Sequence, residues 1–190
     1  MDSIDTLQRV IDESKRLVSN VSPDQLGNET PCAEWTVKDL INHITGGTTM
    51  VGMSIEHGSV PDDVIGQVMG NADCLGDDYK GAFTNAADEI MRIVRIPGAL
   101  DKEVQLPFGT MPGQAAVGFG IYDVSTHNCD IARATGQEIK DRDVLETALG
   151  LGQQIVQPEF RAPGIFDAEK DCSSDAPLED RLLAFGGRSI

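Results

Sequence analysis

The chain has 190 residues, 40% hydrophobic and 24% charged, a composition that suits one folded domain with its own core. Its formal net charge is −16, with no basic stripe to offset it, which argues against nucleic acid and anionic membrane as partners. No apolar run of about 20 residues is present to span a bilayer, and the mixed-charge start "MDSIDTLQRVIDESKRLV" lacks the layout of a secretory signal, so a cytosolic protein is expected.

In chain order the pattern is helical almost throughout. Ile4, Leu7, Val10, Ile11, Leu17 and Val18 recur at three- and four-residue steps. They predict a first helix from about Ser3 to Asn20, capped by Asp2 or Ser3. Ser22-Pro23-Asp24-Gln25 predicts a short capped turn of helix with proline in its first position. In "TPCAEWTVKDL", Thr36 and Asp39 form an approximate capping box, and Trp35, just before the cap, is placed to pack on Leu40 as a hydrophobic staple. The second helix carries Val37, Leu40, Ile41, Ile44, Val51 and Ile55 at helical spacing. Gly46 and Gly47 interrupt it. They suit either a kink or helix end, or a close approach of backbone, neighbouring helix or ligand.

Residues 58–76 read as an excursion with a short helix around Asp62 to Met69. Tyr79, Phe83, Ala86, Ala87, Ile90, Met91 and Val94 predict a third long helix from about Asp77 to Arg95, ended by Pro97-Gly98. Alternating Val104 and Leu106, with Pro107 and Gly109 as turn residues, predict a short extended piece or hairpin near residues 102–110. A fourth helix is expected from about Pro112 to Thr135, closed by Gly136. Asp143 and Glu146 read as a capping box for a fifth, ending before Pro158. A last helix from about Pro177 to Phe185 follows an irregular acidic loop. Long helices with mostly short joins predict an all-α fold: an up-down four-helix bundle with short peripheral helices, one domain over residues 1–190.

Four cysteines, Cys32, Cys74, Cys129 and Cys172, are scattered without a C-x-x-C pair and read as reduced thiols. Of the three histidines, His57 sits beside Gly58 at a helix end and reads as a solvated or capping residue. His43 lies mid-helix beside the main apolar face. His127 lies mid-helix in "YDVSTHNCDIARATG", four residues after Asp123 and three before Asp130, so all three share one stripe. The adjacent stripe of Val117, Ile121, Val124 and Ile131 is apolar, which puts the polar stripe at or beside the packed seam. Carboxylates buried next to a histidine need full hydrogen bonding or a compensating charge, and a divalent cation supplies one. Asp-x-x-x-His is a usable chelating pair. His43 from a facing helix completes three ligands and leaves open positions for water or substrate. The same spacing also fits a plain hydrogen bond on a helix surface. Mixed nitrogen and oxygen ligands do not select one metal: zinc is the first expectation, with nickel, iron and manganese open.

"TPCAEWTVKDLINHITGG" resembles the opening of the DinB-like and mycothiol-dependent maleylpyruvate isomerase families, which share a Thr-Pro-Cys, a Trp-Thr/Ser-Val-x-Asp-Leu helix start and a His followed shortly by Gly. "YDVSTHNCDIARATGQ" resembles their second motif, Asp/Glu-x-x-x-His-x-Trp-Asp-Leu-Ala-Arg-Ala-Thr-Gly, and "PLEDRLLAFGGR" the end of the shorter actinobacterial members. The resemblance implies a four-helix bundle with a divalent metal on His43, Asp123 (Glu in the isomerase itself) and His127. Asp130 would orient a ligand histidine or cap backbone. The Trp of the second motif is Cys129 here, beside Asn128, which implies a smaller or more polar pocket floor. A homodimer is implied by the DinB-like relatives. The function implied is that of a transferase or isomerase in which mycothiol, or another low-molecular-weight thiol, attacks a small electrophilic substrate while the metal stabilises the thiolate. Arg133 and Arg188 are then candidates to pair with carboxylates of thiol or substrate. The alternatives are a metal-dependent hydrolase and a non-catalytic module that binds a small ligand or metal.

Overall fold

The computed structural model describes residues 2–33, 35–158, 161 and 166–190. Among them are seven α-helices and one hairpin: α1 (Ser3–Asn20), α2 (Val37–His57), α3 (Asp62–Met69), α4 (Tyr79–Val94), β1 (Glu103–Leu106), β2 (Gly109–Pro112), α5 (Gly113–Thr135), α6 (Asp143–Ile155) and α7 (Leu178–Phe185). The all-α expectation holds, and each predicted element is present. Part of the acidic loop before α7 lies outside the described residues.

Local chemistry explains most boundaries. Asp2 caps α1 by accepting from the Ile4 amide at 3.4 Å. The capping box of α2 is reciprocal: Thr36 Oγ1 accepts from the Asp39 amide (3.3 Å), and Asp39 Oδ2 accepts from the Thr36 amide (2.9 Å). α2 then runs unbroken through Gly46 and Gly47 to Gly58, which caps it in the left-handed region at φ +86°. Of the two readings of the glycine pair, close approach applies, and only at Gly46. A Cβ there would lie 3.3 Å from Cys74 Sγ and from Val68, whereas Gly47 faces open space. The expected capping box at α6 is absent. Arg142 occupies the cap position without a side-chain cap bond, and Asp143 and Glu146 lie inside the first turn, where carboxylates complement the positive end of the helix dipole.

α1, α4, α2 and α5 close a ring in which each packs on the next, and α5 also carries α6 and α7 on its outer side. Helices consecutive along the chain, α1 and α2, are thus not the packed neighbours of this ring. The crossover between them makes this order workable. It lies over the end of α5, where Asn28 Nδ2 donates to Ala134 O (2.9 Å) and Gln25 Nε2 donates to Thr135 O (3.1 Å). At the far end the hairpin ties α2 to α5: the Gln105 amide donates to Gly58 O (2.8 Å) and the Gly113 amide to Lys102 O (2.7 Å). The start of α2 therefore meets the end of α5 and the reverse, so these two helices run antiparallel. Val104 and Leu106 of β1 are buried and join the hydrophobic cluster that fills the ring. No described helix is long and apolar enough to cross a membrane.

Candidate metal centre

α2 and α5 bring His43, Asp123 and His127 together. One ligand atom from each lies within 4.8 Å of those of the other two. His43 Nε2 is 3.5 Å from Asp123 Oδ2, and His127 Nε2 is 3.7 Å from Asp123 Oδ1. His43 and Asp123 are partly open to solvent, 28% and 17% exposed at the side chain, whereas His127 is nearly closed off at 6%. The α2–α5 seam holds this arrangement because Ile44 and Ile41 on one helix and Ile121, Val124 and Ile131 on the other bury the apolar stripes beside the polar one.

Electrostatics separate the three groups. Burial pushes the Asp123 carboxyl up, but His43, His127 and Arg188 outweigh it and bring the group down to about 2. Burial holds the His127 imidazole below its ordinary value, against the opposing pull of Asp130 and Asp123. His127 Nδ1 lies 3.1 Å from Asp130 Oδ2. A carboxylate can only accept, so that bond places the proton on Nδ1 and leaves the Nε2 lone pair facing Asp123. An imidazole lone pair and a carboxylate that face each other need a cation or a proton between them.

A divalent ion fits this donor set. Bonds of about 2.0–2.2 Å place two tetrahedral ligands about 3.4 Å apart, close to the 3.5 and 3.7 Å found here and longer than an N–H···O bond. Asp130, fully buried, orients His127 from behind.

Arg188 reaches the same region from the C-terminal tail, but its guanidinium is engaged within the protein. Nη2 and Nε donate to Asp130 Oδ2 (3.1 and 3.3 Å), Nη1 donates to Gly186 O (2.6 Å), and Nη2 lies 3.4 Å from Cys32 Sγ. Arg133 is not brought to the cluster. It is 40% exposed and pairs with Asp180. Cys129 is buried in the hydrophobic core, and its neighbour Asn128 donates to Val10 O of α1 (3.3 Å). His57 is exposed beside Glu56.

Two participants escape a reading of spacing. The Trp35 indole stacks on the His127 ring (5.8 Å between centroids, 15° between planes) and tilts against His43 (4.8 Å). It walls the centre as well as preceding the α2 cap. Cys32, three residues earlier, forms a second three-donor group with His127 and Asp130. The sequence signals for both were their places in the Thr-Pro-Cys and Trp-Thr-Val-x-Asp-Leu run, which did not say that either side chain turns to the histidines. A cavity of about 340 Å³ between α2, α3 and α4 is lined by none of these residues.

A model of the mycothiol maleylpyruvate isomerase N-terminal domain family matches residues 7–95. Two proteins described as uncharacterized, from two strains of Mycobacterium tuberculosis, are each 37% identical to the chain over 100% of both lengths. Among solved structures, the mycothiol-dependent maleylpyruvate isomerase superposes with a TM-score of 0.62 at 16% identity, and a histidine-to-alanine mutant of it with 0.63. Each match covers 79% of this chain but 66% of the solved one, so the fold is shared while the chain spans just under two thirds of that enzyme's length.

Proposed function

The chain belongs to the mycothiol maleylpyruvate isomerase N-terminal domain family, and from that premise we propose that it holds a divalent metal on His43, Asp123 and His127 and uses it to activate a low-molecular-weight thiol such as mycothiol against a small electrophile. The observation that carries this reading is the convergence of two imidazole nitrogens and a carboxylate on one partly open point, with no lysine or arginine salt bridge to Asp123 among the described residues. When bound, the ion would act as a Lewis acid that favours the thiolate form of the thiol.

The chain's own residues do the rest. Asp130 holds His127 with Nδ1–H turned inward and Nε2 turned to the centre. Trp35 covers both imidazoles on one side, excluding water there and offering an apolar wall to a ligand. The partly exposed edges of His43 and Asp123 leave the way in. Three protein ligands leave coordination open, the pattern of catalytic rather than structural sites.

Elemental analysis of untagged wild type beside His127→Ala tests the metal. The ion is expected in the wild type and lost in the variant, and equal content in both would remove the site. Thiol-dependent consumption of an electrophilic test substrate tests the chemistry. Turnover of an ester or amide without added thiol would instead favour a hydrolase, and tight binding without turnover a non-catalytic module.

A further inference from the structure

His127 belongs to two three-donor clusters, one on each ring nitrogen. Nε2 faces His43 and Asp123, while Nδ1 faces Cys32 and Asp130. In the second cluster one nitrogen, Arg188 Nη2, lies 3.1 Å from Asp130 Oδ2, 3.4 Å from Cys32 Sγ and 3.5 Å from His127 Nδ1. A metal ion held by those three groups would occupy the same place. We propose that Arg188 is a positioning residue: its guanidinium fills the second cluster as a built-in cation and so commits His127 to the His43–Asp123 side through Nε2. This rests on the metal reading of that first cluster.

The tail is shaped for the task. α7 ends in Gly186-Gly187, and Gly187 adopts φ +88°, a conformation that favours glycine. A Cβ on Gly187 would fall 2.5 Å from Asp167 Cβ, and one on Gly186 would fall 3.0 Å from Arg188 Nη1. The turn is closed by the Gly187 amide on Ala184 O (2.9 Å) and the Arg188 amide on Leu183 O (2.9 Å). It carries the guanidinium inward until its side chain is 12% exposed against fully buried Asp130. A guanidinium is always charged and only donates, so it pairs with Asp130 Oδ2 and cannot itself ligate a metal. Without it, a soft thiolate, an imidazole nitrogen and a carboxylate remain, a set that suits zinc or cobalt. On binding, the metal would displace the Cys32 thiol proton to solvent, and the His127 Nδ1 proton would move to Nε2 or likewise leave to solvent.

Cobalt(II) reports the difference, because a thiolate ligand adds a ligand-to-metal charge-transfer band in the near ultraviolet that imidazole and carboxylate do not. Wild type loaded with cobalt is expected to lack the band and to lose its cobalt spectrum in H43A. R188Q, which keeps a donor to Asp130 without the charge, and R188M are expected to gain the band and to lose it again in R188Q/C32S. R188K, which restores a cation, is expected to return the wild-type spectrum. A folded R188Q or R188M with the wild-type spectrum, or with no bound cobalt, overturns the proposal. So does a thiolate band in the wild type that C32S removes, a result that decides the matter even if the Arg188 variants fail to fold. Failure of the underlying metal reading looks different: cobalt binding to wild type would then be absent or indifferent to H43A.

Discussion

A single imidazole, His127, is asked to do two things at once, and its neighbours decide which nitrogen does each. Asp130 accepts from Nδ1 and thereby aims Nε2. Replacing Asp130 by Asn keeps the shape but weakens the acceptor, so metal affinity is expected to fall about 10–100-fold, measured by competition with a chromophoric chelator. Asp123 offers a pH test on protein kept metal-free by chelator. Its folded-state value, about 2, is below the ordinary 3.8, so the folded protein binds fewer protons there than the unfolded chain. Its stabilising contribution, roughly 2 kcal/mol, is then complete above about pH 4 and lost as the pH falls towards 2. Urea unfolding of wild type and Asp123→Asn should therefore differ more at about pH 4–5 than near pH 2, where the two converge. A gap that persists at the lowest pH would contradict this account.

At the scale of elements, the capping box of α2 holds the start of the helix that presents His43. Thr36→Ala removes an acceptor for the Asp39 amide, and a loss of about 1 kcal/mol is expected in thermal or urea unfolding. α6 packs on α5 at Gly152, where a Cβ would sit 2.5 Å from the Tyr122 ring and 3.1 Å from Phe185. Gly152→Ala should therefore destabilise by about 1–3 kcal/mol, although alanine has the higher helix propensity. A neutral or stabilising result would mean that α6 moves freely on α5. The capping box expected at Asp143 shows the limit of reading pairs by spacing. The residue pattern was suitable, but the helix begins one residue after Arg142, so both carboxylates serve the dipole instead.

In the whole molecule the C-terminal tail is part of the site. Removing residues 186–190 would leave Asp130, which is fully buried and has one oxygen with no hydrogen-bond partner, without its arginine. A loss on the order of 3 kcal/mol is expected, read by chemical denaturation. Removing only the last two residues, which are exposed, should be nearly silent. The sequence by itself determined the helices, a short extended segment near residues 102–110 and the polar stripe of Asp123, His127 and Asp130, because side-chain periodicity, caps and glycines act over a few residues of chain. His43 was joined to them by the family resemblance and not by spacing, since it lies on another helix. Only the tertiary structure decided that α2 packs antiparallel on α5, that Trp35 turns onto the imidazoles, and that Arg188 serves Asp130 while Arg133 stays at the surface. Those choices depend on which distant surfaces meet. That is governed by complementary packing across the bundle and by the high cost of a buried unpaired charge, neither of which leaves a period in the sequence.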